Sequence, residues 1–104
     1  MFLKISTTTN KISVAENISK ILLDRKLTAC TNISSKTTST FIWKNKLKKD
    51  DEYILSIKTT NSLKEEVINT IENNHNYDVP EIISTKIDIL SDDYKIWLME
   101  NLKV

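Results

Sequence analysis

The chain predicts a mixed α/β fold of the α+β kind, with an antiparallel sheet and its helices on one side. Three observations predict it. Short segments alternate apolar and polar residues as strands do, and two longer ones repeat apolar residues at helical spacing. They follow one another in the order β-α-β-β-α-β, with one more amphipathic stretch at the end.

Residues 2–8 form the first predicted strand, with Leu3 and Ile5 on one face. A helix follows, opened by Ser13 and Glu16 at capping-box spacing, where each side chain can satisfy the other's free backbone N–H. Val14, Ile18, Ile21, Leu22 and Arg25 then form its inner stripe. Residues 27–33 resume β character, and 37–43 continue it, with Thr38, Thr40 and Ile42 alternating against Ser39, Phe41 and Trp43. Lys44-Asn45-Lys46 reads as a turn. A third strand spans 52–59, where Tyr53, Leu55 and Ile57 alternate with Ile54, Ser56 and Lys58.

Ser62 and Glu65 repeat the capping-box spacing and open a second helix, with Leu63, Val67, Ile68 and Ile71 inside. Its end meets a loop, and Pro80 sets the chain extended into a strand over 82–89. Residues 92–102, with Tyr94, Trp97, Leu98 and Leu102, read as a short amphipathic helix. The whole is a ferredoxin-like βαββαβ sandwich with an extra C-terminal helix, one domain over 1–104.

Two helices cover one face of a sheet; the other face, carrying Phe2, Ile54, Trp43 or their neighbours, needs cover. The β-prone run 29–43 would extend on the order of 50 Å. A compact domain of this size has a radius of gyration of roughly 13 Å. The strand must therefore bend, bulge or project as a ribbon with its return strand. A projecting ribbon exposes edges and apolar rings that soluble proteins bury against a partner. An oligomer is expected.

Composition narrows the rest. Fifteen Lys and Arg against 14 Asp and Glu leave a net charge of +1. That balance gives no support to nucleic-acid binding. Hydrophobic residues make up 39%, enough for a modest core, and Gly is absent. Cys30 is the sole cysteine, which excludes an internal disulfide and fits a reducing compartment. The apolar start, Met1 to Ile5, is too short for a signal peptide or a membrane span, so a cytoplasmic protein without direct membrane insertion is expected.

Several motifs stand in order along the middle of the chain. They are Ala29-Cys30-Thr31-Asn32-Ile33, Trp43-Lys44-Asn45-Lys46-Leu47, Asp50 with Glu52, Ile57-Lys58-Thr59, Ser62, and His75-x-Tyr77-x-Val79-Pro80-Glu81-Ile82. Together they resemble the signature of the CutA (divalent-cation-tolerance) family, without gaps over 29–83; Tyr94 and Trp97 resemble its C-terminal helix less specifically. The resemblance implies a ferredoxin-like subunit in a tight homotrimer, related in architecture to the PII signalling proteins, with clefts between subunits. It also implies a link to divalent-metal tolerance and copper binding, and in animals to membrane anchoring of an esterase. No secure catalytic activity comes with it, and no organic cofactor is expected. Three positions depart from the family pattern. Asn45 replaces a Gly, Ser35-Lys36 a frequent Pro-Gly, and Asn76 a frequent Pro.

A trimer would bring a neighbour's hairpin, with Trp43, over the loop after the second helix, so a ligand cleft is expected at Asn32, Trp43, Lys58, Tyr77 and Glu81. For a metal, Cu(II) or another divalent ion, imidazole and thiolate are the favoured ligands, and the chain offers one of each in His75 and Cys30. One His and one Cys cannot close a site within a subunit, so Asp78, Glu81 or a second chain must contribute. Each residue also has a structural reading. Cys30 suits a small core position; His75 suits a helix-end cap; Phe41 and Trp43, whose rings can stack on a ligand, suit a subunit interface. Lys58, Tyr77 and Glu81 are types that do acid–base work, yet no nucleophile triad or Gly-rich loop accompanies them, and no enzyme is expected. Two function classes follow: a trimeric metal-tolerance protein holding copper in an inter-subunit cleft, or a PII-like trimeric module binding a small molecule or protein.

Overall fold

The computed structural model describes residues 1–103. Its elements in order are β1 (Phe2–Thr9), α1 (Ile12–Asp24), β2 (Cys30–Ile33), β3 (Thr37–Trp43), β4 (Lys46–Thr60), α2 (Lys64–Asn74), β5 (Ile82–Ile87) and α3 (Asp92–Glu100). A 3₁₀ turn over Asn61–Leu63 precedes α2. The sheet is antiparallel, ordered β2-β4-β1-β5, and β3 pairs with the other half of β4. This is the expected ferredoxin-like arrangement, with β2 and β3 together serving as its second strand.

Pairing in register puts Leu3, Ile5 and Thr7 of β1 on one face with Thr59, Ile57 and Leu55 of β4. Ala15, Ile18 and Leu22 of α1 and Val67 and Ile71 of α2 pack there, joined by Leu98 and Leu102. At about 25 cal/mol per Å² of apolar area removed from water, this cluster is the main stabilising term. The opposite face carries Lys4, Ser6 and Thr8 with Lys58, Ser56 and Ile54, and Cys30 and Asn32 lie beside them on β2. Neither α1 nor α2 covers that face.

Neither helix opens as its sequence suggests. Thr9 continues β1 and its hydroxyl accepts the Lys11 backbone N–H, so α1 starts at Ile12 with Ser13 already inside its first turn. Ser62 lies in the 3₁₀ turn, its hydroxyl paired with that of Thr60, and α2 begins two residues later. Arg25, expected on the inner stripe, ends α1 exposed.

The strand expected over 27–33 shortens to Cys30–Ile33 because the chain is still leaving α1. Lys26 takes a φ of 56°, Leu27 N–H donates to Leu22 C=O and Lys26 N–H to Leu23 C=O. This is a Schellman motif with buried Leu22 and Leu27 as its apolar pair, and lysine stands where glycine is usual.

The over-long strand both bulges and projects. Ile33 faces Leu55 and Thr37 faces Glu52, so three residues, Ser34–Lys36, oppose two on β4. Ser34 keeps the ladder closed there, its N–H donating to Ile54 C=O and its hydroxyl accepting the Ile54 N–H. Beyond the bulge the ribbon extends the molecule to 46 × 26 × 21 Å. Lys44 and Asn45 turn it, both with positive φ, the requirement of a two-residue hairpin of the primed type.

Candidate functional site

The ribbon leaves the sheet at the bulge, and the loop after α2 is bonded both to the end of β1 and to Glu52 at the ribbon's base. His75 leaves α2 with extended backbone. Its Nδ1 accepts the Tyr77 backbone N–H at 3.0 Å. That bond assigns the proton to Nε2, which donates to Thr8 C=O at 2.9 Å. Asn76 accepts from the Thr9 hydroxyl and donates to Asn10 Oδ1, pinning the loop to the end of β1. The His75 and Tyr77 rings lie 4.9 Å apart.

Tyr77 Oη donates to Glu52 Oε2 at 2.7 Å. Glu52 is only 7% exposed although it lies on the ribbon side of β4. Burial first, then the bond to Glu52, holds the Tyr77 phenol above its ordinary value, so it stays a donor. Burial also lowers the His75 imidazole, outweighing the Thr8 carbonyl and the Glu52 charge that raise it.

Around this pair opens a cleft of about 670 Å³. Phe41 and Trp43 of β3 line it with Asp50 and Glu52 of β4 and Asp78, Val79 and Glu81 of the loop. Lys48 is the one cation among the lining residues, facing four carboxylates. The ion pairs among the described residues, Lys20–Asp24 and Lys103–Glu66, lie elsewhere.

Of the residues expected at a cleft, Trp43, Tyr77 and Glu81 line this one. Asn32 and Lys58 form a separate group on the open sheet face. There the Lys58 ammonium stands 3.3 Å from Asn32 Oδ1 and 3.8 Å from Cys30 Sγ. Burial and the neighbouring Cys30 thiol hold the Tyr94 phenol above its ordinary value beside them. Cys30 pairs with Lys58, and Thr8 with Ile54 four positions along, so within one chain His75 and Cys30 are roughly 13 Å apart along the strands. Among the described residues no three His, Cys, Asp or Glu stand close enough together to hold a metal ion. His75 has neither ring nitrogen free, and it caps no helix carbonyl: its bonds go to β1 and to its own loop.

Glu52 and Asp50 belong to the cleft although sequence reasoning did not place them there. The available signal was the Asp-x-Glu spacing. A carboxylate inside a strand, flanked by Tyr53 and Ile54, is unusual enough to mark.

A family model described as CutA1 divalent ion tolerance protein matches residues 3–101. The chain belongs to the CutA1 family. The divalent-cation tolerance protein CutA of Pyrococcus horikoshii is 37% identical, over 86% of this chain and 86% of that protein. The chloroplastic CutA protein of Arabidopsis thaliana is 36% identical over 85% of the chain, which spans 48% of that longer protein. The structure of the CutA1 protein of Thermus thermophilus superposes with a TM-score of 0.94 at 32% identity, covering 99% of this chain and 100% of that one. The ribbon, bulge and cleft are thus set in a CutA1 subunit fold. No described helix of this CutA1-family chain is long and apolar enough to cross a membrane.

Proposed function

We propose that the protein serves tolerance of divalent metal ions in the cytoplasm, without catalysing a reaction, as a homotrimer that binds Cu(II) in clefts between subunits. The observation that carries the metal reading is the charge of the cleft, with Asp50, Glu52, Asp78 and Glu81 against Lys48. Copper is the divalent first-row ion that a given oxygen and nitrogen donor set holds most tightly. Because these donors do not converge in one chain, closed coordination needs groups from a second copy. The trimer is supported by the ribbon, where Ile42 and Leu47 pair across the strands at 66% and 69% exposure, and by the uncovered sheet face. Asn32, Lys58 and Cys30 lie on that face and reach a cleft from the neighbouring subunit.

A second reading, a PII-like trimeric signalling or scaffold module, is favoured by His75, whose ring nitrogens are both engaged by backbone. Light scattering should return three times the 12.0 kDa chain mass; a monomer at micromolar concentration rules out the trimer. Calorimetry with Cu(II) separates the readings. Uptake lost in Glu81→Gln or Asp78→Asn supports the metal site, and abolition by His75→Ala with weakening by Cys30→Ser adds those two side chains to it. No Cu(II) uptake by the wild-type protein gives the module precedence.

A further inference from the structure

The cleft contains a carboxylate with more hydrogen-bonding capacity than the chain satisfies. Glu52 is 7% exposed, and Tyr77 supplies a donor to Oε2. Tyr77 takes one oxygen, Oε1 is not among the buried atoms left without a partner, and no ion pair to Lys or Arg engages the group among the described residues. The second oxygen is therefore open to the cleft. A ligand that brings positive charge to it gains a charge-assisted hydrogen bond.

The surroundings define that ligand. Asp50 lies two residues from Glu52 on the same side of β4, about 7 Å along the strand. Phe41 and Trp43, residues 39% and 48% exposed, line the same cleft. Aromatic faces attract cations and also cover hydrocarbon. Four carboxylates repel an anion, and the roughly 670 Å³ volume lies in the range of pockets that enclose small organic molecules.

We infer that the cleft binds an organic cation, an alkyl amine or guanidinium compound, with its charged head on Glu52 and Asp50 and its carbon chain against Phe41 and Trp43. This deepens the small-molecule reading of the cleft and does not depend on copper. Lys48, two residues beyond Asp50, disfavours positive charge at the ribbon end, so the leading charge belongs at the Glu52 end.

The test is calorimetry on the assembled protein in EDTA, with hexylamine as probe and 1-hexanol and hexanoate as controls. The amine should bind, and the alcohol and the acid should bind at least about tenfold more weakly, because charge-assisted bonds carry the recognition. Glu52→Gln, with its assembled mass unchanged, should weaken the amine by about tenfold or more. Asp50→Asn, at a less buried position, is the second variant should Glu52→Gln not fold, and it should weaken binding several-fold. No amine binding overturns the inference; that is also the result expected if a neighbouring subunit's lysine fills the cleft. Equal binding of the alcohol, or undiminished binding in the variants, overturns it too. A parallel Cu(II) titration without EDTA reads the copper proposal separately, since the two ligands are scored independently.

Discussion

Tyr77 Oη donates to Glu52 Oε2 at 2.7 Å across 25 residues of sequence, joining the loop after α2 to the middle of the longest strand. The bond meets β4 at Glu52, opposite Thr37 and directly beyond the bulge, where the ribbon leaves the sheet. The loop thereby holds the angle between ribbon and sheet, and with it the shape of the cleft.

Tyr77→Phe tests this link. It removes the donor and leaves Glu52 buried with none, at a cost of about 1–3 kcal/mol. The urea midpoint should fall accordingly, and Glu52→Gln in the same background should recover part of the loss. A midpoint unchanged in Tyr77→Phe would show that the bond does not hold the loop.

His75 makes stability depend on pH. Its folded pKa lies below the ordinary value of 6.5, chiefly through burial, so the unfolded chain takes up the proton first. Its contribution is complete above 6.5 and is lost as pH falls from there through the lower folded pKa. A proton on Nδ1 also turns the acceptor of Tyr77 N–H into a second donor, releasing the loop. Urea denaturation from pH 7.5 to 5 should show wild type losing stability across that window, and His75→Gln should lose less.

The ribbon turn tests backbone strain. Asn45 holds a φ of 64°, where a β-branched residue pays about 1–2 kcal/mol. Asn45→Val should lower stability by that amount, whereas Asn45→Gly should be neutral or mildly stabilising. Thermal denaturation of the pair checks both signs.

Thr7 offers a stabilising change. Its side chain is fully buried on the core face of β1 and its hydroxyl has no partner among the described residues. Thr7→Val keeps the shape, removes the orphan hydroxyl and suits a strand. Stability should hold or rise by about 1 kcal/mol in denaturant unfolding. A clear loss would mean the hydroxyl has a partner in the assembled protein.

The sequence by itself determined the element order, most of the core stripes and the need for the run 29–43 to bend, bulge or project. Each follows from local periodicity or chain length and needs no distant contact, whereas the left-handed turn at Asn45 was legible because the family carries Gly there. Membership of the family was legible for a related reason, since its motifs are strings of neighbours such as Tyr77 to Ile82. The capping boxes misled because strand pairing, a long-range term, set where each helix begins.

Only the tertiary structure decided the cleft. Glu52 resembles any solvent-facing strand carboxylate until the loop from His75 folds over it. Lys58 and Tyr77, equally good candidates by type, part company because the sheet register sends one to Cys30 and the other to Glu52. Which side chains meet is set by pairing between residues far apart in the chain, and no local pattern encodes that distance.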